Sequence, residues 1–183
     1  MRFDRKRLIE QYPDHRNIPF LFFYGHKPSE DGSITKSCFS QWWIAPFEVD
    51  GFVYRTAEHW MMAGKASLFG DNDILEKIRT CETPAKVKKL GRLVQDFDPS
   101  VWDRHKYDIV VTGSYQKFAQ NVELKKFLLD TDDKILVEAS PVDRIWGIGM
   151  KSDHPAATNP ALWKGGNLLG FALMEARAKL RGI

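Results

Sequence analysis

The 183-residue chain is predicted to be an α+β protein, mainly helical. Two observations carry that expectation. From Thr56 to Leu129 the sequence is a succession of capped segments with apolar residues at helical spacing, while runs of strand character are few and short. The helical and strand segments also lack a regular βαβ alternation, and that mixed order points to α+β. A 43% hydrophobic share beside 28% charged residues is that of a folded chain. The length suits a single compact domain, read as residues 18–183 behind a charged arm at 1–17.

Taken in order, Phe20-Leu21-Phe22-Phe23-Tyr24 reads as a short buried strand, and Gly25 to Lys36 as a loop holding Pro28 and Gly32. Ile44 to Val49, then Asp50-Gly51, then Phe52-Val53-Tyr54 read as a hairpin, because Asp-Gly tolerates the two positive φ angles of a type I′ turn. Pro46 implies that the first of these strands lies at an edge or is bulged. A helix from Thr56 to Phe69 opens on a hydroxyl cap and stops at Gly70. Asn72 to Thr80 is a further short helix, and Thr83-Pro84 opens another. Asp98-Pro99 begins a longer one with Trp102, Ile109, Val110, Gly113 and Phe118 on its apolar positions. Asn121 is expected to cap Val122 to Leu129, Lys134 to Ala139 to form a strand, and Asn167 to cap a final helix.

Several function classes are excluded at this level. No run of apolar residues approaches the roughly 20 needed to cross a bilayer, and the N-terminus lacks the apolar stretch of a signal peptide. Two cysteines, Cys38 and Cys81, make neither a disulfide framework nor a metal-ligand pattern, which fits a reducing, cytoplasmic setting. The five histidines are scattered, so no metal is expected, and no phosphate loop or dinucleotide fingerprint implies a cofactor. The net charge of +3 permits a polyanionic partner without requiring one.

Three stretches carry chemistry. On the Thr56–Phe69 helix, Glu58 and Lys65 are seven residues apart, within about 20° on the wheel, while nearly everything else is apolar. Ionised groups on a buried helix are costly unless paired. The two therefore form an internal ion pair or line a cavity that receives a ligand. In a cavity, desolvation would lower the lysine pKa and make it a nucleophile toward a carbonyl or sugar carbon. The second stretch, Asp143-Arg144-Ile145-Trp146-Gly147-Ile148-Gly149, follows a strand. It is either a turn plugged by Trp146 or a ligand-facing loop whose glycines admit close approach. The third, Trp163-Lys164-Gly165-Gly166-Asn167, leads into a helix whose first amides would suit an anion, although taken alone it reads first as an ordinary glycine-rich approach to a capped helix.

Taken together these residues resemble the YbiA-like NADAR family. The resemblance rests on Phe39-Ser40 before a hairpin, Thr56-Ala57-Glu58-His59 with Lys65 on one helix, the Val142 to Met150 loop, and Trp163-Lys164-Gly165-Gly166-Asn167-Leu168-Leu169-Gly170. These stand in the family's order from about Phe22 to Leu180. The resemblance implies an N-glycosidase that cleaves a ribose C1–N bond. Family substrates include phosphorylated ribosylamino intermediates of riboflavin synthesis and ADP-ribosylated guanine, so ADP-ribosylated nucleic acid is an implied partner. It places catalytic roles on Glu58, Lys65 and Asp143. Substrate contacts fall to Phe39, Ser40, Trp42, Trp146 and Gly147, with Arg144, Lys164, Asn167 and the start of the final helix as phosphate candidates. The chain departs from relatives at Gln41-Trp42, where many have Asn-Phe, and at Ile148, where some carry an acid. A non-catalytic module binding ADP-ribose-like nucleotides is the alternative reading.

Overall fold

The computed structural model describes residues 2–13 and 18–183, so the part of the 1–17 arm at 14–17 lies outside the described residues. Two compact units make up the chain. The first joins Met1–Ser40 to Glu123–Ile183, and the second runs from Gln41 to Val122.

In the first unit, helix α1 (Arg5–Gln11) starts where the Asp4 carboxylate accepts the Arg7 amide. It is fastened by Arg5, whose guanidinium donates to the carbonyls of Pro160 and Ala161 at 2.7 and 2.8 Å. Strand β1 (Phe20–Phe23) lies parallel to β4 (Ile135–Glu138), with Phe20 opposite Ile135 and Phe23 opposite Glu138. Two strands more than 100 residues apart in sequence thus form one ladder. The strand expected at Lys134–Ala139 is this β4. Between β1 and the second unit, Lys36–Phe39 form a 3₁₀ turn. Helices α6 (Val122–Leu129) and α7 (Leu168–Arg181) complete the unit. α7 lies on β4 so closely that a Cβ at Gly170 would collide with the Leu136 carbonyl oxygen. Its residues Leu169 to Met174 are all buried.

In the second unit the hairpin forms as expected. Strands β2 (Phe47–Val49) and β3 (Phe52–Tyr54) pair antiparallel, and Asp50 and Gly51 take φ of 51° and 79°. Pro46 falls just before β2, which shortens the expected strand to three residues. Four helices follow: α2 (Ala57–Leu68), α3 (Asn72–Thr80), α4 (Pro84–Gly91) and α5 (Pro99–Gln120). Thr56, Asp71, Thr83 and Asp98 each accept an amide of the first turn with a side-chain oxygen.

α2 is the axis of this unit, packed on α3, α4 and α5. Two glycines make the contacts possible. A side chain at Gly91 of α4 would strike the Met62 sulfur, and one at Gly113 of α5 would strike the Trp60 ring. Trp60 Nε1 donates to the Ile109 carbonyl at 2.7 Å and fixes the α2–α5 crossing. One expectation is corrected here. Asn121 does not cap α6; its Nδ2 donates back to the Lys117 and Pro46 carbonyls and closes the end of α5.

Candidate active site

The chemistry of the second unit is concentrated on α2. Glu58 occupies the first turn and is only 3% exposed. A carboxylate there meets the positive end of the helix dipole. Its own amide donates to the Gln41 carbonyl at 2.9 Å, tying the helix start to the segment that carries Trp42. Next to it, His59 is buried and doubly bonded, with Nε2 3.2 Å from the Cys81 carbonyl and Nδ1 2.7 Å from Thr56 Oγ1. A carbonyl only accepts, so Nε2 carries the proton and the Thr56 hydroxyl donates to Nδ1. Burial pushes the His59 pKa below its ordinary 6.5. This histidine is a neutral brace for the turn that presents Glu58.

Lys65 lies two turns further along, an axial rise of about 10 Å from Glu58. Its Nζ donates to the Gly91 carbonyl at 2.7 Å and sits 3.8 Å from the centre of the Phe97 ring, with Trp102 at 5.9 Å. These partners are a neutral oxygen and two aromatic faces, and burial lowers the Lys65 pKa from its ordinary value. The Glu58–Lys65 ion pair left open by the helical wheel is not what holds this ammonium. The contacts of Lys65 with Gly91, Phe97 and Trp102 are not legible in the sequence, because these residues lie 26 to 37 positions beyond it and belong to separate elements. Trp42, the stacking candidate of this unit, is half-buried, with Lys88 Nζ 5.7 Å from its ring centre.

In the first unit, the Asp143 to Gly149 loop is built around one carboxylate. Asp143 Oδ1 accepts the amides of Ile145 and Trp146 at 2.8 and 2.7 Å, and the Ser140 hydroxyl accepts the Asp143 amide at 3.1 Å. The loop then folds against the start of α7. Gly147 and Gly165 have no room for a side chain, since Cβ atoms there would press on backbone of Glu138, Arg144 and Gly147 itself. The amides of Gly166, Asn167, Leu168 and Leu169 donate to the carbonyls of Arg144, Gly147, Ile145 and Trp146. This corrects the phosphate role expected for the helix start, because the loop carbonyls already occupy those donors.

Asn167 is corrected with it. Its side chain makes no cap bond. Fully buried, it takes the Glu138 amide on Oδ1 at 3.0 Å and donates Nδ2 to the Leu136 carbonyl at 2.9 Å, acting as a one-residue third strand beside β4. Phe39 is also a packing residue, 0% exposed and set 5.4 Å from Phe23 and 5.5 Å from Phe127. Its burial removes it as a stacking face. Ser40 follows it, half-buried, at the end of the 3₁₀ turn. Trp146 keeps partial exposure, and Ile148 is fully buried.

Arg144 and Lys164 are exposed and flank Gly149, whose missing side chain would lie 3.1 Å from Arg144 Cγ and 3.0 Å from Lys164 Cβ. Their stems therefore run side by side, which suits a phosphate shared by two cations. Among the described residues no group of three or more His, Cys, Asp or Glu is placed to hold a metal ion, and no helix is long and apolar enough to cross a membrane.

These arrangements match a known domain. A model of the NADAR domain matches residues 22–181, through both units. The chain belongs to the NADAR family. An N-glycosidase of Acanthamoeba polyphaga mimivirus is 44% identical over 163 residues, covering 86% of this chain and 94% of that protein. The chloroplastic riboflavin biosynthesis protein PYRR of Zea mays is 31% identical over 141 residues, which is 73% of this chain and 21% of the maize protein. Among solved structures, the NMR structure of the E. coli protein YbiA superposes with a TM-score of 0.68 at 29% identity and covers 91% of each chain. The α+β, mainly helical class expected of the sequence is that of this relative.

Proposed function

We propose that this NADAR protein is an N-glycosidase, a hydrolase of N-glycosyl bonds, that opens the ribose C1–N bond of a phosphorylated ribosylamine or of ADP-ribosylated guanine through Lys65. The observation that carries the reading is the setting of that lysine. Its nitrogen donates to a neutral carbonyl and lies against an aromatic face, and burial lowers its pKa from the ordinary lysine value, the direction that attack on carbon requires. The names of the mimiviral and maize relatives support the bond type and the riboflavin-linked substrate class.

The chemistry follows from the ribosylamine. The glycosidic nitrogen lone pair expels the ring oxygen and leaves a C1 iminium. The Lys65 amine adds to C1, the departing amine takes a proton and leaves, and a Lys65 imine remains. Water then hydrolyses that imine, freeing the sugar aldehyde and the lysine. Glu58, buried at its helix start, is the proton carrier for these transfers. Asp143 is assigned to the ribose hydroxyls, Trp146 and Trp42 to the base, and Arg144 with Lys164 to a phosphate. Gly147 keeps the loop backbone close to the ligand.

Borohydride reduction during turnover tests the covalent route. With the riboflavin intermediate, and separately with an ADP-ribosylated guanine oligonucleotide, the productive substrate should leave on the peptide holding Lys65 the mass of the reduced ribose phosphate or of the reduced ADP-ribose, respectively. Lys65→Arg keeps the charge and the aromatic contact but forms no imine, so turnover should vanish. Turnover retained by Lys65→Arg would instead assign the reaction to water activated by Glu58. Saturable ADP-ribose binding without turnover of either substrate would mark a binding module.

A further inference from the structure

The first unit contains a pocket that the proposed chemistry does not use. It has a volume of about 540 Å³, within the range of small-molecule sites, and lies between α1, the C-terminal half of α7 and the turn before β4. Its floor is apolar, formed by Leu8, Ile135, Phe171 and Met174. Its walls carry Arg2, Arg7, Arg177 and Arg181 against only two acids, Asp4 and Asp133.

The acids are already engaged. Asp4 lies 3.4 Å from Arg7 and Asp133 lies 2.9 Å from Arg181. That leaves Arg2 and Arg177 without an ion pair of their own, with Asp133 and Asp132 acting on Arg177 only through space. Arg177 is the unusual member. It is 4% exposed, and its Nη1 donates to two neutral oxygens, Thr131 Oγ1 at 2.7 Å and the Lys134 carbonyl at 3.0 Å. Its remaining N–H groups have no acceptor among the described residues. Burial, with Arg181 nearby, brings its pKa down to about 10 against the opposing pull of Asp133 and Asp132. A buried guanidinium without an anion is costly, and the side it presents to the pocket is where an anion would offset that cost.

We infer that this pocket binds an organic phosphate monoester, with its apolar body on the Leu8–Met174 floor and its phosphate on the free N–H groups of Arg177. A phosphate monoester carries close to two negative charges at neutral pH, which suits two arginines that lack an ion pair. Its oxygens fit the planar guanidinium fork. The inference does not depend on the glycosidase reading.

Phenyl phosphate is the probe, titrated into the full-length protein and followed by amide and methyl NMR shifts, with inorganic phosphate and phenol in parallel. Phenyl phosphate should bind saturably, move the signals of Leu8, Met174 and Arg177, and bind at least about tenfold tighter than either parallel compound, since phenol lacks the charged contact and inorganic phosphate lacks the ring that the apolar floor buries. Arg177→Gln should weaken binding by about tenfold or more. The exposed Arg2→Gln should weaken it several-fold while the unfolding midpoint stays unchanged, which covers an Arg177 variant that does not fold. Shifts confined to other surfaces, equal binding of phenol, or unchanged affinity in Arg2→Gln would each overturn the assignment.

Discussion

At the scale of single residues, the environment decides what each ionisable group can do. Glu58 and Lys65 share a helix, yet the acid sits at the positive end of α2 while the amine rests on Gly91 and Phe97. Glu58→Gln keeps the shape and removes the titrating oxygen, so turnover should fall by about 10²–10⁴ with the fold intact, measured by steady-state kinetics beside circular dichroism. His59 provides a pH prediction. Its folded pKa lies below the unfolded 6.5, so the unfolded chain binds the extra proton first as pH falls. Stability is therefore full above pH 6.5 and declines as the solution is acidified through that value. Urea midpoints from pH 7.5 down to 5 should show this slope, and His59→Gln should flatten it.

At the scale of elements, close approaches are bought with glycine and amide side chains. Gly170 lets α7 touch β4, and Asn167 completes the ladder beside Glu138 and Leu136. Asn167→Ala would strand a buried amide and a buried carbonyl at about 1–3 kcal/mol each. Gly170→Ala would force α7 from the strand at about 1–3 kcal/mol. Denaturant unfolding should register both losses as lower midpoints at unchanged slope. If Asn167→Ala unfolds with wild-type stability, the one-residue strand has no energetic weight. The loop from Asp143 to Gly149 relies on the same junction, because its carbonyls take the first amides of α7.

For the whole molecule, the useful quantity is the response to ligand. A substrate-like ligand at about 100 times its dissociation constant adds roughly 2.7 kcal/mol to a folded state that binds it. In a chain of this length that is a rise of about 5–10 °C in melting temperature. A thermal-shift series of ADP-ribose, ribose 5-phosphate and ribosylaminopyrimidine phosphates should include at least one compound with a shift of that size. Flat responses to all of them would remove the nucleotide-type substrate from consideration.

The sequence by itself determined what is set within a few residues along the chain. Thr56, Thr83 and Asp98 cap their own first turns, Asp50-Gly51 turns its own hairpin, and the order of the Glu58–Lys65, Asp143–Trp146 and Trp163–Gly170 motifs marks the family. Such bonds close over three or four residues, so the sequence that makes them also displays them. The tertiary structure decided the pairings between distant segments. Asn167 looks like a helix cap in sequence, but its amide answers to Leu136 and Glu138, about 30 residues earlier. Phe39 becomes core because Phe23 and Phe127 meet on it, and Lys65 takes its character from Gly91 and Phe97. A helix start that reads as an anion site is filled by the loop packed against it. In each case a polar or aromatic group could satisfy itself in several ways, and only the packed chain fixes which partner is within reach.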